Sequence, residues 1–163
     1  MSTSHRVWRL GADIDTDALA PGAYMKLGIE GIAPHCLEAV RPEFASQVRP
    51  GDVLVAGANF GIGSSREQAA GALVHLGVKA VIAPSFSGLF FRNAFNLGLL
   101  LLTCKGLDSV QDGAHITLDL QTLQIGLADA APLQCEPIPA FLLDMVQAGG
   151  LLNQLRQRLK GHT

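Results

Sequence analysis

Between Asp52 and Thr103 the chain runs through apolar strand, glycine turn and helix-compatible segment twice over, and no other feature narrows its fold as much. Asp52-Val53-Leu54-Val55-Ala56 is a short apolar run, Gly57 to Gly63 a turn, and Ser65 to His75 a segment with helical spacing. Lys79-Ala80-Val81-Ile82-Ala83 follows as a second buried strand, Ser87 to Asn96 as a short helix stopped at Gly98, and Leu99 to Thr103 as a third strand. Strands that are apolar on both faces and joined through helices pair in parallel, with right-handed crossovers. The expectation is an α/β domain with a parallel βαβ core and helices covering its faces.

On the N-terminal side, Arg6 to Phe44 reads as loop-rich, because Gly11, Pro21, Gly22, Gly28, Gly31, Pro34 and Pro42 interrupt any regular period. Long loops in a compact domain usually carry function. On the C-terminal side, His115 to Leu120 and Leu123 to Leu127 alternate around Gln121-Thr122, which predicts an additional antiparallel strand pair. Pro139 to Gln147 and Leu151 to Lys160 then read as helices separated by Gly149-Gly150. Their apolar stripes, Phe141, Leu142, Met145 and Val146 followed by Leu152, Leu155 and Leu159, read as core or interface. No repeat or linker divides the chain, so one domain over residues 1–163 is expected.

Composition removes several function classes. With 12 Lys+Arg against 14 Asp+Glu and a net charge of -2, the chain has no basic cluster for nucleic acid or anionic lipid. Its longest apolar stretch, Leu97 to Leu102, falls far short of the ~20 residues of a membrane span, and no targeting segment opens it, so a cytoplasmic protein is expected. The 3 cysteines, Cys36, Cys104 and Cys135, lack C-x-x-C spacing, and an odd number cannot all pair within one chain. They read as small buried hydrophobes in a reducing compartment. Their separations also lack the short-loop pairs common in iron–sulfur sites.

The chemistry concentrates in Asn59-Phe60-Gly61-Ile62-Gly63-Ser64-Ser65-Arg66-Glu67-Gln68-Ala69, between a buried strand and a helix. Glycines there let backbone N–H groups converge on an anion, and the helix dipole favours negative charge at the same point. The order is neither a Walker loop, a dinucleotide fingerprint nor a nucleophile elbow. One reading is structural: Ser64 as N-cap and Glu67 three residues on form a capping box. Arg66 points further, since a cation in the first helical turn opposes the macrodipole by a few tenths of a kcal/mol. A bound carboxylate reverses that penalty through a two-pronged, charge-assisted pair.

This segment resembles the serine–arginine loop of the aconitase superfamily. Asp13-Ile14-Asp15-Thr16-Asp17 with Pro21, Pro84-Ser85-Phe86 through Phe90-Phe91-Arg92-Asn93-Ala94-Phe95-Asn96-Leu97-Gly98-Leu99, and Ala148-Gly149-Gly150-Leu151 resemble, in the same order, motifs of the isopropylmalate dehydratase small-subunit family. The resemblance implies a swivelling β/β/α domain that pairs with a large subunit bearing a [4Fe–4S] cluster, as a heterodimer or heterotetramer, with no metal or cofactor held by this chain. It implies reversible dehydration of a hydroxy-dicarboxylate, foremost the interconversion of 2-isopropylmalate and 3-isopropylmalate in leucine biosynthesis. Ser64 would be the general base and Arg66 the carboxylate grip, with Ser65, Asn59 and Gly63 lining the substrate and Asp17 supporting the site.

In that family the loop after the first motif reaches over the variable group of the substrate, and here it carries Tyr24, Met25, Lys26 and Leu27. Met25, Leu27 and Ile29 suit a branched alkyl group, whereas Lys26 suits an additional carboxylate. Isopropylmalate members tend to be apolar where Lys26 stands and homoaconitase-like members cationic, so a homoaconitate-type or other 2-alkylmalate substrate is the alternative. A non-catalytic swivel module is the alternative of another class. Asp13, Asp15 and Asp17 imitate an EF-hand opening, but Ala18 and Tyr24 stand where its glycine and bidentate Glu belong, and turn-forming and capping roles are expected of them. The 5 histidines form no cluster of metal-ligand spacing and none lies beside Ser64.

Overall fold

A computed structural model describes residues 3–160 of the chain. Its parallel strands are β1 (Ser4–Arg9), β2 (Val53–Val55), β3 (Ala80–Ala83) and β4 (Leu100–Thr103), and its antiparallel strands are β5 (His115–Asp119), β6 (Gln124–Gly126) and β7 (Leu133–Gln134). They form one sheet in the order β4-β3-β2-β1-β5-β6-β7, with Val7 against Val53, Val53 against Ala80 and Ala80 against Leu100. The expected parallel core and antiparallel pair are both present. The strand ends coincide with the expected limits or fall one residue inside them, as at Asp52, whose side chain has become a hydrogen-bond acceptor.

The central strand β1 runs into the segment expected to be loop, through Arg9. Only Val7 and Trp8 within it are buried, and the polar residues beside them hide so short an apolar run. Those polar residues are held rather than solvated. Asp52 Oδ2 accepts from Arg6 Nη2 at 2.7 Å and from Trp8 Nε1 at 2.9 Å, while the indole carries the Arg6 and Arg41 guanidinium groups at 5.1 and 4.8 Å from its ring centre.

The sheet curls until its two edges meet. Cys104, just past β4, forms an antiparallel bridge with Cys135, just past β7, and Glu136 N donates to Thr103 O at 2.8 Å. This closure corrects the expectation of helices on both faces. One side of the parallel strands is the interior of the curl, and the helices lie in one layer outside it: α1 (Thr16–Leu19), α2 (Gly28–Ile32), α3 (Phe44–Gln47), α4 (Glu67–His75) and α5 (Gly88–Asn96). The strand order steps the same way at each crossover, so crossovers of one hand put their helices on one face. Accordingly α4 packs against α1, α2 and α5.

Strands β2 and β3 are buried at every position, and Phe60, Phe90 and Phe95 fill the space between turn and helix. Helices α6 (Ala140–Ala148) and α7 (Leu151–Lys160) close the described chain, separated at Gly149, which caps α6 in the left-handed conformation. Met145 joins the core, but Phe141, Leu152 and Leu159 are exposed by 60%, 68% and 71%, so the leucine stripe of α7 is surface, not core. Among the described residues no helix is long and apolar enough to cross a membrane.

Candidate active site

Ligands of open parallel sheets bind beyond the carboxyl ends of the strands. Here the chain leaving β1, the chain leaving β2 and the chain leaving β3 meet at that end. Ile62 bridges to Asp15 and Phe60 to Phe86; Gly61 N donates to Ile14 O at 2.7 Å, Thr16 N to Ile62 O at 2.8 Å and Ser87 N to Phe60 O at 2.9 Å. The glycine-rich turn is therefore held on both sides by backbone before it delivers Ser64. Gly61 sits at φ +84°, and a Cβ there would overlap the Phe90 ring, so packing demands glycine in addition to any anion.

Ser64 and Ser65 are exposed, past Gly63 at φ +106°. Neither the Ser64 hydroxyl nor the Ser64, Ser65 and Arg66 backbone N–H groups have a hydrogen-bond partner among the described residues. The expected capping box does not form. Helix α4 begins at Glu67, and its N-cap is Arg66, extended at φ -110° and ψ 110° without a side-chain cap. The physical cause is the Arg66 side chain, which folds back to donate from Nη1 to Asp17 Oδ1 at 2.8 Å and to Ala20 O at 3.0 Å. That clamp keeps residue 66 out of the first turn and leaves Nη2 and Nε free for an anion. The Arg66 hydrogen bond, with the Gly22 N–H behind it, holds the Asp17 carboxyl below the usual carboxylate range.

The supporting residues divide by role. Asn59, at φ +62°, donates from Nδ2 to Asp13 Oδ1 at 2.9 Å and from its backbone to Ser85 Oγ at 2.8 Å, so it is a strut under the turn. Asn93 Nδ2 stands 3.5 Å from Ser65 Oγ, at the outer limit of a hydrogen bond. Asp15 caps α1 by accepting from Ala18 N at 2.7 Å, and Asp17 accepts from Gly22 N at 3.0 Å, the capping and turn roles expected of the aspartates. A Cβ on Gly22 would lie 3.4 Å from Asp17 Oδ1 and 3.6 Å from Arg66 Nη2, which places the start of the Tyr24–Leu27 loop against the guanidinium.

That loop, a 3-10 turn over Gly22–Leu27, divides its side chains between core and surface. Met25 and Ile29 turn inward and pack on the core; Lys26 and Leu27 remain outside, Leu27 at 61% exposure and Lys26 with no ion-pair partner among the described residues. Tyr24 stacks on His35. Spacing between histidines gave no hint of that contact, because the partner of His35 is a tyrosine from the same loop.

The cysteines do not assemble a ligand set. Cys104 and Cys135 face one another at the seam, while Cys36 is separately buried, and burial pushes the Cys36 and Cys135 thiols up to about 12. Among the described residues no group of three or more His, Cys, Asp or Glu is placed to hold a metal ion.

A curled mixed sheet with a serine–arginine turn at its strand ends defines an aconitase-type swivel domain, and residues 35–106 match the Aconitase C-terminal domain family. A methanogen homoaconitase small subunit from Methanothermobacter thermautotrophicus is 47% identical over 91% of this chain and 87% of its own length. A 3-isopropylmalate dehydratase small subunit from Syntrophus aciditrophicus is 42% identical over 99% and 100%. The crystal structure of 3-isopropylmalate dehydratase from Methanocaldococcus jannaschii superposes with a TM-score of 0.91 at 38% identity, covering 99% of this chain and 98% of that one. The chain belongs to the 3-isopropylmalate dehydratase small-subunit family, components of hydro-lyases within the aconitase superfamily.

Proposed function

We propose that this chain is the small subunit of a cytoplasmic hydro-lyase that is active only with a large subunit and that moves a hydroxyl between adjacent carbons of a hydroxy-dicarboxylate. The observation that carries the reading is the exposed, unpartnered Ser64 beside an Arg66 fixed by Asp17 with two guanidinium nitrogens free. Arg66 grips a substrate carboxylate, and the free N–H groups of Ser64 to Arg66 face the remaining oxygens. Ser64 Oγ, as the alkoxide that Arg66 and these N–H groups stabilise, takes the proton from the carbon next to a carboxylate and becomes the hydroxyl. The C–H electrons form the double bond as hydroxide leaves the neighbouring carbon, and the proton returns when water adds back in the opposite sense.

Hydroxide leaves poorly without a metal to take up its charge. The cysteines of this chain do not fit a cluster, so the Lewis acid is assigned to a [4Fe–4S] cluster in the large subunit. Replacing Ser64 with Ala in the reconstituted complex should lower turnover by about 10²–10⁴-fold while assembly and melting stay unchanged. Unchanged turnover would favour a non-catalytic swivel module.

The family weight of the relatives supports 2-isopropylmalate and 3-isopropylmalate as substrates. The homoaconitate-type reading has its own observation, since Lys26 and Leu27 are the residues the loop presents outward. An exposed ammonium suits a further carboxylate, and desolvating it against an alkyl group is unfavourable. Replacing Lys26 with Val should shift relative kcat/KM toward alkylmalates over tricarboxylates, read from a panel of hydroxy acids; a constant ratio removes Lys26 from substrate choice.

A further inference from the structure

The turn that bears Lys26 and Leu27 has no side-chain cap and no fully buried residue, so its conformation depends on ties made elsewhere. One tie is at its start, where Gly22 N donates to Asp17 Oδ1. A second is Met25, packed on the core, and a third is the ring of Tyr24, which lies on the His35 imidazole with centres 3.6 Å apart and planes 8° from parallel. Residues 25–34 leave this stack and return to it, so the two rings close the base of the segment that presents Lys26 and Leu27.

His35 is itself fixed. Its Nδ1 lies 2.7 Å from Glu38 Oε2, and because a carboxylate only accepts, Nδ1 carries the hydrogen. The hydrogen bond to the carboxylate fixes the plane of the imidazole, which lies flat against the Tyr24 ring. The backbone beside this pair is pinned to the frame of the site: Leu37 N donates to Ala18 O at 2.8 Å, one residue from Asp17.

We infer that His35, oriented by Glu38, is a positioning residue for substrate selection: by stacking on Tyr24 it holds the Lys26–Leu27 tip in register with Arg66. His35 touches no substrate; it sets how well the tip meets the group that varies among substrates. The inference rests on the hydro-lyase reading above. Removing the stack should loosen the tip without disturbing Ser64.

The test uses the full chain reconstituted with its large subunit, assayed with an alkylmalate and a tricarboxylic hydroxy acid. His35→Ala should raise KM for the better substrate roughly three- to tenfold, the population change expected from losing one stacked pair. It should leave kcat within about twofold, and His35→Phe, which restores a flat ring without the Glu38 hydrogen bond, should recover most of the loss in KM. Unchanged KM and unchanged selectivity in His35→Ala, or a fall in kcat alone, would overturn the role.

A second readout does not depend on turnover. Tyr24 is the 1 tyrosine of the chain, so its ring-proton resonances in the full-length small subunit report the stack directly. They should move toward unstacked positions in His35→Ala and back in His35→Phe; immobile resonances in His35→Ala refute the tie. Should that variant fail to fold, Glu38→Gln carries both readouts with smaller effects. A wild-type complex inert toward both acids defeats the hydro-lyase reading, and selection with it. Wild-type turnover with unaltered selectivity in the variants defeats His35 alone.

Discussion

Gly61 shows how one residue can be read correctly and incompletely. In the sequence it is one of several glycines that let N–H groups gather around an anion; in the fold its own N–H is spent on Ile14 O, and its missing Cβ makes room for Phe90. Replacing it with Ala combines a left-handed φ with an overlap against a buried ring, and should cost about 2–4 kcal/mol. Urea denaturation measures that loss. Turnover of the complex should fall with it, because the displaced turn leads straight to Ser64; a stable variant with full turnover would show that Phe90 yields. Arg66 was legible because a cation at a helix start opposes the macrodipole, whereas Ser64 fits a helix start so well that only the resemblance singled it out. Asp17 was legible only through the resemblance, since nothing in its spacing announces a pairing with Arg66 49 positions away. His35 was missed because a search for histidines near other ligands does not find one whose partners are a tyrosine ring and a carboxylate on its own turn.

Elements were legible where apolar residues dominate and illegible where polar residues are satisfied by tertiary partners. Strands β2, β3 and β4 have almost no polar positions, so periodicity finds them; β1 is equally central but sets Val7 and Trp8 between Arg6 and Arg9, and the Arg6 charge becomes compatible with a sheet only when Asp52 arrives from elsewhere. The shortened start of α4 has the same origin. Helical propensity and the Ser64–Glu67 spacing favour an earlier beginning, yet the ion pair between Arg66 and Asp17, supplemented by Ala20 O, holds residue 66 extended. The consequence bears on the proposed role of Ser64, because a capping box would have used its hydroxyl on its own helix. Tertiary contacts keep that oxygen unpartnered.

At the scale of the molecule, closure of the sheet was not readable from local pattern, because it depends on Thr103 and Glu136 meeting across two otherwise unrelated edges. What steadies the other flank of the curl is the group around Asp52. Its Oδ2 accepts from Arg6 Nε at 3.2 Å, Arg6 Nη2 at 2.7 Å, Trp8 Nε1 at 2.9 Å and Arg49 N at 2.9 Å, joining β1 to the chain that enters β2. Burial alone would raise this carboxyl, but the hydrogen bonds from Arg6, Arg49 and Trp8 together outweigh it and hold the pKa below the ordinary 3.8. A carboxyl whose folded pKa is depressed contributes stability above its unfolded value and loses it as pH falls toward the folded one. Replacing Asp52 with Asn should therefore destabilise the chain by about 2–3 kcal/mol near neutrality, since the Arg6 head is partly exposed and retains some solvation. The gap should then narrow as pH drops from roughly 5 to 3, because the wild type takes up the proton that Asn can never bind. Denaturant midpoints measured for both chains across that interval decide the matter: parallel curves would mean that the carboxylate carries no linked stability, and convergence on the acid side would identify it as a principal acid-sensitive joint of the fold.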